Sequence, residues 1–126
     1  MALTKKDILK ADDIQKEMVN VPEWGGDIYL RTMSGLERDA FEQSIVKDKV
    51  TNLRNIRARF CALVICDEDG KRLFTDADVV ELGRKSSLVL SRIFDVGQSL
   101  NGFTNADVEE LAKNSESGQS DDSGLS

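Results

Sequence analysis

Histidine is absent from this sequence. The usual base for activating a serine or cysteine nucleophile is therefore missing, and with it the common hydrolase and transferase constellations. No serine lies in a nucleophile-elbow context. Gly25-Gly26 lacks the following Gly-Lys-Ser/Thr and the strand-to-helix setting of a phosphate loop. There are only two cysteines, Cys61 and Cys66. Five positions apart on a helix they would point about 140° away from each other, which argues against a disulfide, and no CxxC or His partner builds a metal site. They read as reduced, small apolar core residues. Long apolar runs are also missing. Even the longest, Phe60 to Cys66 around Ala62 to Ile65, is far below the roughly 20 residues that span a bilayer. Met1 to Asp13 is charged and lacks the apolar stretch of a signal peptide. The sequence thus predicts a cytoplasmic chain without a membrane partner.

Aromatic residues make up 6% of the sequence and apolar residues 40%, so Leu, Ile, Val and Ala must build most of the core. Five Phe and one Trp serve as large fillers. That composition suits helix packing in a single domain of 126 residues. The net charge of -6 is concentrated at one end. Residues 1 to 100 hold 16 basic and 17 acidic side chains, whereas residues 101 to 126 hold one Lys and six acids. A near-neutral body with an acidic end does not attract phosphates, so nucleic acid is not an expected partner and protein is.

The order of elements can be read from caps and periodicity. Thr4-Lys5-Lys6-Asp7 has the form of a capping box opening a helix of one or two turns with Ile8 and Leu9. Apolar alternation over Ile14 to Val21, the break Pro22-Glu23-Trp24-Gly25-Gly26 and the run Asp27 to Met33 predict a β-hairpin at 17–33. Ile28, Leu30 and Thr32 share one face of its second strand. Ser34-Gly35-Leu36-Glu37 opens a helix through Leu36, Ala40, Phe41 and Ile45 that ends near Lys49. Thr51 caps the next, which runs through Leu53, Ile56, Phe60, Leu63 and Val64, and whose last turns, Phe60 to Cys66, are apolar on nearly every face. Asp67-Glu68-Asp69-Gly70 stops it, with Gly70 supplying positive φ, and Lys71 to Phe74 is an extended link. Thr75 to Asp78 is a third box, starting a helix with Val79, Val80 and Leu82 that breaks near Gly83. Leu88 to Leu100 is a longer helix ended by Asn101-Gly102, and Thr104 opens a last one containing Val108 and Leu111. Residues 114–126 are rich in Ser, Gly and acids and cannot bury enough surface to offset the entropy of ordering. The overall expectation is a mainly α (α+β) domain over 1–113 and a flexible, disordered tail over 114–126.

Several clusters invite a chemical reading. Asp67, Glu68 and Asp69, with Asp76 and Asp78 nearby, resemble a calcium loop in composition, but an EF-hand numbered from Asp67 would place Lys71 and Asp78 where an oxygen ligand and the closing Glu belong. The cluster reads as an acidic turn followed by a cap. The pairs Glu37 with Asp39 and Glu109 with Glu110 fall in first turns of helices, where carboxylates suit the helix dipole better than acid-base work. Lys47, Lys49, Arg54, Arg57 and Arg59, with Asp48 among them, read as a solvated helix face. They could also meet an acidic surface such as a neighbouring subunit's tail. Trp24 at the hairpin tip is either an interface aromatic or a side chain folded back onto the helices, and the sequence leaves both open.

Taken in order, Val21-Pro22-Glu23-Trp24-Gly25-Gly26, Arg31-Thr32-Met33-Ser34-Gly35 with Glu37-Arg38-Asp39, Cys66 to Phe74, and Asn101-Gly102-Phe103-Thr104 resemble the tail assembly chaperones of long-tailed bacteriophages. The resemblance covers roughly residues 14 to 112. It implies an assembly factor of the host cytoplasm, absent from the mature virion, that binds the tape-measure protein, keeps it soluble and promotes tail-tube assembly. It also implies self-association and a longer frameshifted form that contacts the tail-tube protein, this chain resembling the short form. No catalytic residue, metal or cofactor carries over, and the chain is expected not to be an enzyme. Protein contact is assigned to Trp24, Ile28 and Leu30. The rival expectation is a permanent structural tail or connector component of the virion.

Overall fold

The computed structural model describes residues 1–47 and 50–103, without the side chains of residues 47, 50 and 51. Helix α1, Lys5–Lys10, opens on the Thr4 box: the Asp7 N–H donates to the Thr4 hydroxyl and the Thr4 N–H to the Asp7 carboxylate. No residue of α1 is buried. Strand β1, Lys16–Val21, then pairs antiparallel with β2, Gly26–Arg31, in a register that sets Val19 opposite Ile28 and Glu17 opposite Leu30. A 3-10 turn, Pro22–Trp24, joins them, and Gly25 closes it at φ 85°, a conformation favourable only without a β-carbon. The hairpin expected at 17–33 is therefore present, its paired ladder starting one residue earlier and ending two earlier.

Helix α2, Gly35–Ile45, begins at the reciprocal Ser34/Glu37 box. It ends four residues before the expected Lys49, because Val46–Lys47 (β3) turns back to pair with Val50–Thr51 (β4). Thr51 thus belongs to a strand and does not cap a helix. Helix α3, Ile56–Val64, starts instead at Asn55, held in the left-handed region at φ 55°, which asparagine tolerates better than most residues. The helix also stops early. Ile65–Cys66, expected as its last turn, forms strand β5, antiparallel to β2 with Leu30 opposite Ile65 and Tyr29 opposite Cys66. The sheet therefore has three strands in the order β1-β2-β5, and the link after it returns to pair Arg72 with Cys66.

The Thr75/Asp78 box is formed and leads through a 3-10 turn, Asp76–Asp78, into α4, Val79–Leu82. Helix α5, Ser87–Leu100, is the longest and ends at Asn101 with Gly102 at φ 75°. The expected helix from Thr104 and the tail 114–126 lie outside the described residues. The fold is mainly α with a small antiparallel sheet built on the N-terminal hairpin.

One cluster of buried side chains joins all layers. Phe60 on α3 is its hub, meeting the rings of Phe41, Phe94 and Phe103 edge-on at 5.4, 5.0 and 6.0 Å between centroids. Val21 and Leu30 of the hairpin and Ile93 of α5 are fully enclosed around it. Cys61 and Cys66 are free thiols in this interior, as their apolar setting predicted.

Polar ties fix the elements to each other. Arg31, at the end of β2, donates to the Glu37 carboxylate at 2.6 Å and to the Leu63 carbonyl at 2.9 Å, joining sheet, α2 and α3. The Asn101 side chain accepts from the Met33 N–H at 2.6 Å and donates to the carbonyls of Arg31 and Gly97. Arg38 lies over the Phe103 ring, 3.9 Å from its centroid.

Candidate protein-binding grooves

Trp24 owes its position to its neighbour. Glu23 receives two hydrogen bonds from the Arg92 guanidinium of α5, at 2.9 and 2.8 Å, which clamps the hairpin turn onto the helix. Hydrogen bonding from Arg92 holds the Glu23 carboxyl down to about 2, below its ordinary value near 4.5. Trp24 is half-buried, packed against the core on one side and open on the other. It lines a groove of about 440 Å³ with Leu73 and Phe74 of the link, Asp78, and Glu81 and Leu82 of α4. Leu73 is 54% exposed there.

A second groove, of about 410 Å³, uses α4 as a shared wall. Ala40 and Phe41 of α2, Leu63 of α3, and Val79 and Val80 of α4 give it an apolar lining. Val80 is 59% exposed at its edge. Arg59 and Asp76 are its charged members. Arg59 is not part of a solvated face as expected: its guanidinium donates to the Ser44 carbonyl and hydroxyl at 2.9 and 2.8 Å and to the Asn52 carbonyl at 2.6 Å. Burial pulls its pKa down, and the contacts to α2 and the β4–α3 connection show that this cation closes a loop.

The three contact residues taken from the sequence separate in space. Trp24 lines a groove, Ile28 is half-buried on the sheet, and Leu30 is fully enclosed beneath it. Leu30 offers no surface to another chain in this form, because the middle strand carries it into the core between β1 and β5. From the sequence Phe41, Leu63, Val79 and Val80 read only as helix members and Leu73 as part of a link, with no sign of the grooves they line. The usable signal was apolar residues in excess of one helix face, such as adjacent Val79 and Val80.

The acidic clusters are occupied structurally. Asp67 accepts from the N–H groups of Lys71 and Asp69 at 2.9 and 2.8 Å, and these bonds, that of Lys71 first, lower its pKa against the opposing effect of burial. Glu37 is engaged with Arg31 and with the Ser34 N–H, so it is not free to pair with Asp39. Glu109 and Glu110 lie outside the described residues. Among the described residues no group of three or more His, Cys, Asp or Glu side chains is placed to hold a metal ion, and no helix is long and apolar enough to cross a membrane.

A small helical body whose charged side chains tie its own elements together, with apolar grooves on either side of α4, has the geometry of a protein-binding domain. Comparison with known proteins sharpens that class. The sequence profile of the phage tail assembly chaperone family matches residues 4–114, and the chain belongs to that family. Its general role is accordingly that of a chaperone in tail assembly, a family that is not a known class of enzyme. The fold is similar to that of the bacteriophage HK97 tail assembly chaperone, with a TM-score of 0.58 and 23% identity over 79% of this chain and 95% of the other. No curated protein matches the chain.

Proposed function

We propose that this chaperone binds the tape-measure protein during tail assembly, keeps it soluble, and acts in the host cytoplasm without entering the mature virion. The observation that carries the reading is the groove of Phe41, Leu63, Val79 and Val80, an apolar trough between three helices with room for one face of a client helix. A tape measure is a long chain with repeated apolar helical faces, and shielding it calls for many copies of a small domain that covers them by helix-in-groove contact. Multiple copies along one client imply self-association, for which Trp24 and Ile28 are the candidate contacts. The tail-tube protein would be reached by a longer frameshifted form.

Co-expression tests the client. The neighbouring long helical protein should stay soluble with this chain and precipitate when Val80, already exposed, is changed to Asp. Equal solubility with wild type, V80D or no chaperone would refute the reading. The alternative, a permanent structural tail or connector component, predicts stoichiometric copies in purified virions by mass spectrometry, where the chaperone reading predicts none. A slippery sequence before the stop codon is the mark of the longer form.

A further inference from the structure

The groove between α2, α3 and α4 adjoins the point where the described chain ends. Its wall residue Phe41 meets the Phe103 ring edge-on, at 6.2 Å between centroids. Phe103 is buried, and its N–H donates to the Gln98 carbonyl at 2.7 Å. Residues 104–126 lie outside the described residues, but they set out from this anchored position beside the groove. Val80 at the groove's edge is 59% exposed, an apolar lining open to solvent.

The first stretch of that segment has the complementary character. In sequence, Val108, Leu111 and Ala112 stand at i, i+3 and i+4, the spacing of an apolar stripe on one helix face. Asp107, Glu109 and Glu110 add acid, and no basic residue comes before Lys113. The groove has the opposite sign. Of its two charged members, Asp76 is already paired with Arg72 at 3.1 Å. Arg59 meets two carbonyls and a hydroxyl but, among the described residues, no carboxylate. Helix α1, with Lys5, Lys6 and Lys10 against Asp7, carries the wrong charge for this seat. We propose that residues 104–112 of each chain seat Val108 and Leu111 in that chain's own groove of Phe41, Leu63, Val79 and Val80, with Asp107 beside Arg59.

The tether is short and starts in the right place. From Phe103 to Val108 the chain covers about 8 Å as helix and at most about 18 Å fully stretched. So short a link presents the segment at an effective concentration on the order of millimolar, and the seat needs little intrinsic affinity to be filled. The consequence for function rests on the client reading given above. If the client takes the same groove, the segment is its built-in competitor: it shields the apolar lining while no client is present, and an arriving client helix must displace it. A groove left open in about one molecule in ten weakens the client's apparent affinity about tenfold.

Disulfide trapping in the full chain tests the seat. The native thiols are buried, so an engineered pair reports without interference. Val80→Cys/Leu111→Cys is expected to close within single chains, at a rate independent of protein concentration. It should close at least about tenfold faster than Leu88→Cys/Leu111→Cys, whose partner position lies at the far end of α5. Adding Val108→Asp should slow the first pair at least about fivefold, because a charge then replaces half of the apolar stripe. Equal rates for the two pairs, no effect of Val108→Asp, or a disulfide that forms only between chains would each overturn the proposal. Client solubilisation reads the consequence separately. Val108→Asp/Leu111→Asp should keep the co-expressed long helical protein soluble at lower chaperone levels than wild type, whereas Val80→Asp loses it. Loss of the client in the double variant would make the segment part of the client site and refute the competition. Trapping as expected, with client solubility indifferent to both variants, would refute the client reading and uphold the seat.

Discussion

Gly97 on α5 and Phe60 on α3 meet so closely that a β-carbon at position 97 would lie 2.6 Å from the ring's Cε1. The glycine is there to let the two helices approach around the aromatic hub. In an ordinary helix interior Gly→Ala stabilises by up to about 1 kcal/mol. Here Gly97→Ala should destabilise by about 1–3 kcal/mol, because Phe60 is fully enclosed and has nowhere to turn. Urea denaturation decides the sign, and a raised midpoint would show that the hub yields.

Asn101 is the next test. Its side chain serves the Met33 N–H, the Arg31 carbonyl and the Gly97 carbonyl at once. Asn101→Ala strands backbone groups at the joint between hairpin and α5, and a loss of about 1–3 kcal/mol is expected. A change below 0.5 kcal/mol, to order of magnitude, would mean that water replaces it without cost.

Acid should weaken the fold through two carboxylates. Burial pulls Glu37 up, but Arg31 and the Ser34 N–H outweigh it and hold it below the ordinary value; Glu23 is held down to about 2 by Arg92. Both groups are easier to protonate in the unfolded chain. Both contributions are therefore present above the ordinary value near 4.5 and are lost as pH falls, that of Glu23 only toward about 2. The exposed Glu23 pair adds little. Glu37→Gln should lower stability at pH 7 by roughly 2–3 kcal/mol, since Arg31 loses its partner while mostly buried, and should flatten the dependence below pH 5. An unchanged pH slope would contradict this.

The thiols should be silent in the native protein. Burial pushes Cys61 up to about 12, and Cys66, 1% exposed, is raised by burial against the opposing charges of Arg31 and Lys16. At pH 8 a thiol-disulfide reagent should label neither residue until denaturant is added, then both. Rapid labelling of the folded chain would show that the α3–β5 region opens readily.

Much of the architecture was legible because its signals are local. The boxes at Thr4, Ser34 and Thr75, the Pro22–Gly26 break and the Asn101-Gly102 stop each act within a few residues, and the structure contains all of them. What escaped depends on distant partners. Ile65 and Cys66 look helical beside Phe60 and Leu63 and become a strand only because Leu30 and Tyr29 offer them an edge. Thr51 looked like a cap until the short β3–β4 ladder claimed it. The grooves were less visible still, since each draws on three or more elements. Alternation correctly placed Leu30 in a strand but could not show that a third strand encloses it.

The placement of Arg38 over Phe103 has a bearing on how such a protein can be varied. Phe103 is 6% exposed, held from above by the cation and from the side by Phe41 and Phe60. A change at either residue is therefore felt by the other: losing the cation bares one face of a ring that closes the core, so Arg38 and Phe103 vary as a pair.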